Sequence, residues 1–168
     1  MSDKKYKVGF YGGKFLPFHV GHDYCIDVAE KQCEKLYVIL FYGGDEEQRA
    51  IQKADKEVLK MLSLEDRLEH LKGRVRLYDN VEIHVVDVTN CKLPDGSEDW
   101  DAETPLVLAV TGRMDAVFSS EPRYDEYFKR AYPWAEHILI DPPREHYPIS
   151  ATMIREFEDD KERYKWIL

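Results

Sequence analysis

Two apolar runs, "YKVGFYG" (Tyr6–Gly12) and "KLYVILFYGG" (Lys35–Gly44), flank a helical pattern from about His19 to Glu34, and this order constrains the fold more than any other feature of the chain. The second run is apolar almost throughout, as a strand covered by helices on both faces must be. In the helical stretch Cys25, Ala29 and Cys33 recur at i, i+4 and i+8, with Ile26 and Val28 beside them. Strand, helix and strand in this order form a βαβ unit, whose crossover makes the two strands parallel.

The alternation continues downstream. "DEEQRAIQKADKEVLKML" is charged and helix-prone and reads as a solvated helical face or a mobile loop; whether Asp45–Lys60 is a lid is left open. "SLEDRLEHLKGRV" opens with Ser63 three residues before Asp66, close to a capping box, and Leu64, Leu68 and Leu71 give it an apolar stripe. "VEIHVVDV", "AVFSS" and "HILID" read as strands, and "TNCKLPDGSEDW" as a turn-rich loop. "AETPLVLAVTGRM" is helical with Pro105 in its first turn, "EPRYDEYFKRAYP" is a helix that ends before Pro133, and "SATMIREFEDDKERYKWIL" forms one or two closing helices. The predicted fold is a single α/β domain over residues 1–168. It is a doubly wound, Rossmann-like parallel sheet of about five strands with helices on both faces, and a ligand belongs at the carboxyl ends of the strands.

Composition narrows the partners. The formal net charge of −9 opposes non-specific nucleic-acid binding but not a small anion held by local cations. No apolar run is long enough to span a membrane, and the first residues carry no secretory pattern, so a cytoplasmic location is expected. Cys25, Cys33 and Cys91 are odd in number and suit reduced, buried thiols.

The turn after the first strand, "GGKFLPFHVGH", concentrates the chemistry. Gly12 and Gly13 permit a tight turn and close approach to a ligand. Lys14 adds a charge, and the next helix offers unpaired N–H groups. His19 and His22, three apart, can face one way on a first helical turn, with Gly21 between them leaving room for a base or ribose. Such a set suits a phosphate whose charge grows during reaction. A zinc site from His19, His22, Cys25 and Cys33 fails because Cys33 lies far along the same predicted helix from His19, at about 1.5 Å per residue. The dinucleotide fingerprint G-x-G-x-x-G is absent.

"GGKFLPFHVGH" resembles the G-x-F-x-P-x-H-x-G-H segment of the HIGH-type nucleotidyltransferase superfamily, with Gly13, Phe15, Pro17, His19, Gly21 and His22 matching in register. That family's second motif, I-S-x-T-x-x-R, is similar to "ISATMIR", Ile149–Arg155. Ser150 by itself would also serve as a helix cap. The resemblance implies nucleotidyl transfer without a covalent intermediate. His19 and His22 would contact the α-phosphate region, Lys14 would reach phosphates of both substrates, and Arg155 would neutralise the departing pyrophosphate. Ser150 and Thr152 would hold phosphate oxygens. Mg²⁺ is implied, bound mainly through the ATP phosphates, with no protein metal ligands.

Over nearly its full length the chain looks most like nicotinamide-mononucleotide adenylyltransferases, in particular the adenylyltransferase module of bifunctional bacterial NAD-salvage proteins. "VFSSEPRYDEYF" is similar to a segment placed beside the adenosine, which implies ATP contacts from Ser119 and Glu121 together with Gly12, Gly13, Phe15 and Gly21. "IDPPREHYPISATMIR" is similar to D-x-x-R-x-x-x-P-I-S-x-T-x-x-R, and Arg67 of "SLEDRLEHL" matches a usual arginine. Trp100 is a candidate platform for the nicotinamide ring, and Trp100 and Arg67 are the expected contacts of the mononucleotide. The expected substrates are therefore ATP and nicotinamide mononucleotide (NMN), and a homo-oligomer is compatible with the resemblance. No kinase-type G-x-x-x-x-G-K-S/T occurs in these residues. Alternatives are phosphopantetheine or a cytidylyltransferase substrate as acceptor, or a catalytically silent nucleotide sensor. "YPISATMIR" differs from the usual R-T-x-G-I-S-T-T of cytidylyltransferases.

Overall fold

The computed structural model describes residues 4–167. Five strands, β1 (Tyr6–Gly13), β2 (Cys33–Tyr42), β3 (Val81–Asp87), β4 (Ala116–Ser119) and β5 (Glu136–Leu139), form one sheet in the order β3-β2-β1-β4-β5. Every neighbouring pair is parallel. The order reverses between β1 and β4, and that switch point opens a crevice at the strands' carboxyl ends.

Helices cover both faces. Strand β2 shows why: Leu36, Val38 and Leu40 project to one side and Ile39 to the other, and all four are fully buried. The first side packs against Ile26 and Ala29 of α1 (Val20–Glu30) and Leu71 of α4 (Leu64–Val75). The second packs, with Phe10 and Val117, against Val107 of α5 (Trp100–Thr111) and Phe128 of α6 (Asp125–Ala131). Burial of each such side chain contributes about 1.5–3 kcal/mol, and truncating one to alanine costs about 2–5 kcal/mol.

Three local expectations change. Helix α1 stops at Glu30, and Cys33 begins β2. The side-chain amide of Asn80 bonds the carbonyls of both Glu30 and Cys33 and so secures the change from helix to strand. Pro105 lies inside α5 rather than in its first turn, because Asp99 caps the helix and starts it at Trp100. Trp100 is therefore a helix residue and not a loop residue. The charged stretch after β2 forms two helices, α2 (Asp45–Lys53) and α3 (Lys56–Met61). Ala50, Val58 and Met61 of these helices pack with Leu62 onto Leu16 of the first turn, so the segment has a buried face. As predicted, Ser63 caps α4 by accepting the Asp66 N–H.

The chain closes with α7 (Ala151–Glu156) and α8 (Asp160–Tyr164). Beyond α8, the Trp166 carbonyl accepts the N–H of Val20, the first residue of α1. Among the described residues no helix is long and apolar enough to cross a membrane.

Candidate active site

His19 caps α1 from an extended backbone (φ −143°, ψ 177°). Its Nδ1 accepts the Gly21 N–H at 3.0 Å, and Nδ1 of His22 accepts the His19 N–H at 3.2 Å. This reciprocal arrangement is a capping box made of two imidazoles. It also fixes chemistry, because each Nδ1 is an acceptor and each neutral ring must carry its proton on Nε2. The rings lie 3.8 Å apart between centroids. Burial, with the Arg144 charge adding to it, lowers the His19 pKa to about 3. Burial first, then His19 and Arg144, also holds His22 well below its ordinary value. Both rings are neutral Nε2–H donors, and Nε2 of His19 is buried with no hydrogen-bond partner. Gly21 is required by this cap, since a Cβ there would stand 2.7 Å from Cε1 of His19. The room it leaves is for the histidine's own ring.

The second motif meets the first directly. Nη1 of Arg155 donates to the Leu16 carbonyl at 2.6 Å, and Nη2 reaches Oγ1 of Thr152 at 3.3 Å. Ser150 caps α7 by accepting the Met153 N–H. Arg144, at φ 55°, donates to the Ile149 carbonyl at 2.8 Å and brings a second guanidinium to the same cleft.

Lys14 sits in a relay of contacts. Its Nζ donates to the Gly43 carbonyl at 2.6 Å and pairs with Oε1 of Glu98 at 2.8 Å. Behind it, the Gly43 N–H donates to Glu47, and Glu47 pairs with Arg67 at 2.7 Å in full burial. Arg67 also donates to the Lys14 carbonyl. Gly44 has φ +94°, and a Cβ there would collide with Oε1 of Glu98, so only glycine fits beside this pair.

All the sequence-predicted site residues except Arg67 line one cleft of about 520 Å³ at the sheet's switch point. Arg67 is corrected from a ligand contact to a buried support of Lys14: Glu47 and two carbonyls occupy its guanidinium. Ser119 bonds His137 at 2.6 Å, and the Glu121 carboxylate is held by Arg123. Sequence reasoning passed over Arg144, Glu98 and Glu103, which also line the cleft. The quoted arginine of "DPPREHYPIS" and the helical spacing of Trp100 and Glu103 were the available signals. Cys33 lies at the start of β2 rather than on α1, and among the described residues no three His, Cys, Asp or Glu side chains cluster as metal ligands would.

Residues 10–157 match the model of the cytidylyltransferase-like family. The chain belongs to that family. Among curated relatives, this cytidylyltransferase-like chain is 30% identical over 159 residues to the trifunctional NAD biosynthesis/regulator protein NadR of Escherichia coli, covering 91% of this chain and 37% of that protein. It is 27% identical over 154 residues to phosphopantetheine adenylyltransferase of Mycoplasma mycoides, covering 90% of this chain and 96% of the relative. The chain thus spans little more than a third of its NadR relatives. In fold it is similar to NadR solved with NAD and AMP-PNP, with a TM-score of 0.64 at 22% identity over 96% of this chain and 44% of that one. It is also similar to a bifunctional NMN adenylyltransferase/ADP ribose pyrophosphatase from Francisella tularensis, with a TM-score of 0.62 at 18% identity over 90% of this chain and 41% of that one.

Proposed function

We propose that this chain transfers the adenylyl group of ATP to the phosphate of NMN, giving NAD and pyrophosphate. The observation that carries the chemistry is the state of the two histidines. With both Nδ1 atoms spent on backbone N–H groups and both rings neutral, they present Nε2–H donors at the foot of the cleft. Donors of this kind suit α-phosphate oxygens that gain negative charge in a transition state. They are poorly suited to act as bases, and none is needed: the attacking oxygen belongs to a phosphate that is already anionic. That oxygen forms a bond to the α-phosphorus while the bond from α-phosphorus to the bridging oxygen breaks, and pyrophosphate carries the electron pair away.

The cations take the other ends of the substrates. Arg155, joined to the first motif through Leu16, and Arg144 bring two guanidiniums to the cleft with Ser150 and Thr152 beside them, a set of donors suited to β- and γ-phosphates. Lys14 lies between the histidines' turn and the Glu98 side of the cleft, where it can reach both phosphate groups. Several of the cleft's carboxylates are engaged: Glu98 by Lys14, Glu121 by Arg123, Asp45 by Arg49, and Asp141 by the N–H groups of Glu145 and His146. This suits a Mg²⁺ held mainly by triphosphate oxygens and water, where it would neutralise phosphate charge.

For the acceptor, Trp100 presents an indole to the cleft, with Tyr124 and Tyr127 packed edge-on at 5.0 and 5.3 Å. A flat aromatic ring stacks on such a surface, whereas a pantetheine arm offers no ring. The second reading, phosphopantetheine as acceptor, is favoured by the length match to its adenylyltransferases. Pyrophosphate release from ATP and Mg²⁺ with each acceptor decides. Release with 4′-phosphopantetheine alone replaces NMN and keeps the chemistry; release with no acceptor in a panel of phosphorylated compounds removes both and favours a silent sensor.

A further inference from the structure

The acceptor end of the cleft contains a buried carboxyl group that the proposed chemistry leaves unused. Trp100, Glu103 and Val107 fall at i, i+3 and i+7 on α5 and all line the cleft. Glu103 is only 6% exposed, and its Oε2 is buried with no hydrogen-bond partner. The same carboxyl group interacts with Glu98, which is itself paired with Lys14. Tyr127, Phe128 and Tyr132 complete the apolar surroundings on this side. A polar atom left unsatisfied in such a place costs free energy unless a ligand completes it.

We propose that Glu103 selects the substituent on the pyridine ring of the acceptor, accepting an N–H from the neutral carboxamide of NMN and turning away the carboxylate of the corresponding acid, nicotinic acid mononucleotide. The inference rests on the acceptor reading above. Its chemistry is a matter of donors and acceptors. Burial, then the hydrogen bond and charge of Glu98, raise the Glu103 pKa to about 9, with Lys14 acting in the opposite direction and Asp99 in the same one. Glu103 is therefore protonated at neutral pH, and its proton is directed to the Glu98 carboxylate. Oε2 remains as a carbonyl-like acceptor with nothing to give. A primary carboxamide has two N–H donors and satisfies it. A carboxylate has only lone pairs, so it would set acceptor against acceptor and bring a further negative charge beside the Glu98–Lys14 pair. Sites built around one buried hydrogen-bonding group reject an analogue that leaves it unpaired far more strongly than sites built on apolar contact.

The test compares kcat/KM for NMN and for nicotinic acid mononucleotide in the wild-type chain, Glu103→Gln and Glu103→Ala, with thermal melts to confirm folding. The wild type is expected to favour NMN by about a hundredfold or more. Glu103→Gln, whose amide donates an N–H to Glu98 and keeps a carbonyl acceptor as the protonated acid does, is expected to hold the ratio between the two substrates within about threefold. Glu103→Ala loses efficiency with NMN and narrows that ratio by at least about tenfold, because it removes the opposing oxygen. A general structural role for Glu103 would lower both efficiencies together and leave the ratio unchanged in Glu103→Ala, which overturns the proposal. So does a wild-type chain that uses the acid as well as the amide, a result that stands even where a variant does not fold. A wild-type chain that forms dinucleotide with neither mononucleotide refutes the acceptor reading itself, and this inference with it. A chain that forms NAD with an unaltered ratio in Glu103→Ala refutes only the inference.

Discussion

Keeping His19 neutral makes the fold sensitive to acid in a way that can be worked out. Its pKa in the folded chain is about 3, against about 6.5 when the chain is unfolded. Above pH 6.5 the ring is neutral in both states and titration contributes nothing. As pH falls below 6.5 the unfolded chain takes up a proton that the folded chain refuses, and stability drops, with the loss complete near pH 3. The slope approaches about 1.4 kcal/mol per pH unit, so the loss from this group at pH 4.5 is about 3 kcal/mol, out of a total stability on the order of 5–15 kcal/mol. His22 is shifted in the same direction and adds to the effect. Asn is among the best N-caps and can accept the Gly21 N–H as His19 does, so His19→Asn keeps the cap and removes the titration. Loss of a buried ring makes the variant less stable at pH 8 by about 1–3 kcal/mol. That deficit should close or reverse by pH 4.5, since the wild type alone pays about 3 kcal/mol for this proton. Urea unfolding at pH 8, 6, 5 and 4.5, with linear extrapolation, measures both curves. Parallel curves, with a wild-type-to-variant difference constant to about 0.5 kcal/mol, would show that His19 is not held neutral by the fold.

Three further outcomes can be measured separately. Arg155→Ala should raise the KM for ATP by at least about tenfold while NMN affinity, read by calorimetry without ATP, changes little; equal losses for both ligands would place Arg155 elsewhere in the scheme. Arg67→Ala strands a buried Glu47 and should destabilise the chain by about 3–5 kcal/mol in chemical denaturation. A loss below about 1 kcal/mol would mean that Lys14 and Gly43 hold their places without it. Glu103 binds a proton in the folded chain that the unfolded chain has released, so its contribution to stability declines as pH rises through the interval from about 4.5 to about 9. In Glu103→Gln that decline should flatten by up to one proton between pH 6 and 8.5, and unchanged steepness in unfolding curves would contradict a protonated Glu103.

The parts legible in the sequence share a physical cause. The β1–α1–β2 unit is readable because strands buried on both faces must be apolar almost throughout, and the "HVGH" and "ISATMIR" segments because each concentrates unusual residues over a few positions. Glu47 and Arg67 were not readable as a buried pair. In a segment where nearly every residue is charged, composition carries no mark of which carboxylate turns inward, and the answer depends on an arginine on another helix. Glu103 escaped for the related reason that its partner Glu98 arrives on a small hairpin, tied by the Lys92–Glu98 bridge, whose path is set by tertiary contacts. Pro105 misled because proline favours a first turn on average, whereas here the Asp99 cap fixes where α5 begins.

The bond from Val20 to the Trp166 carbonyl gives the domain an outer limit that family membership does not mark. The family match ends at residue 157, and Trp166 lies beyond it. The hydrogen bond that seats the opening N–H of the histidine helix is therefore supplied from outside the shared segment. Grafting residues 10–157 into another host, or trimming the chain to them, would transplant every motif residue and yet leave the first turn of α1 without the acceptor that holds it. As a portable part, the folded unit is larger than the stretch by which it is recognised.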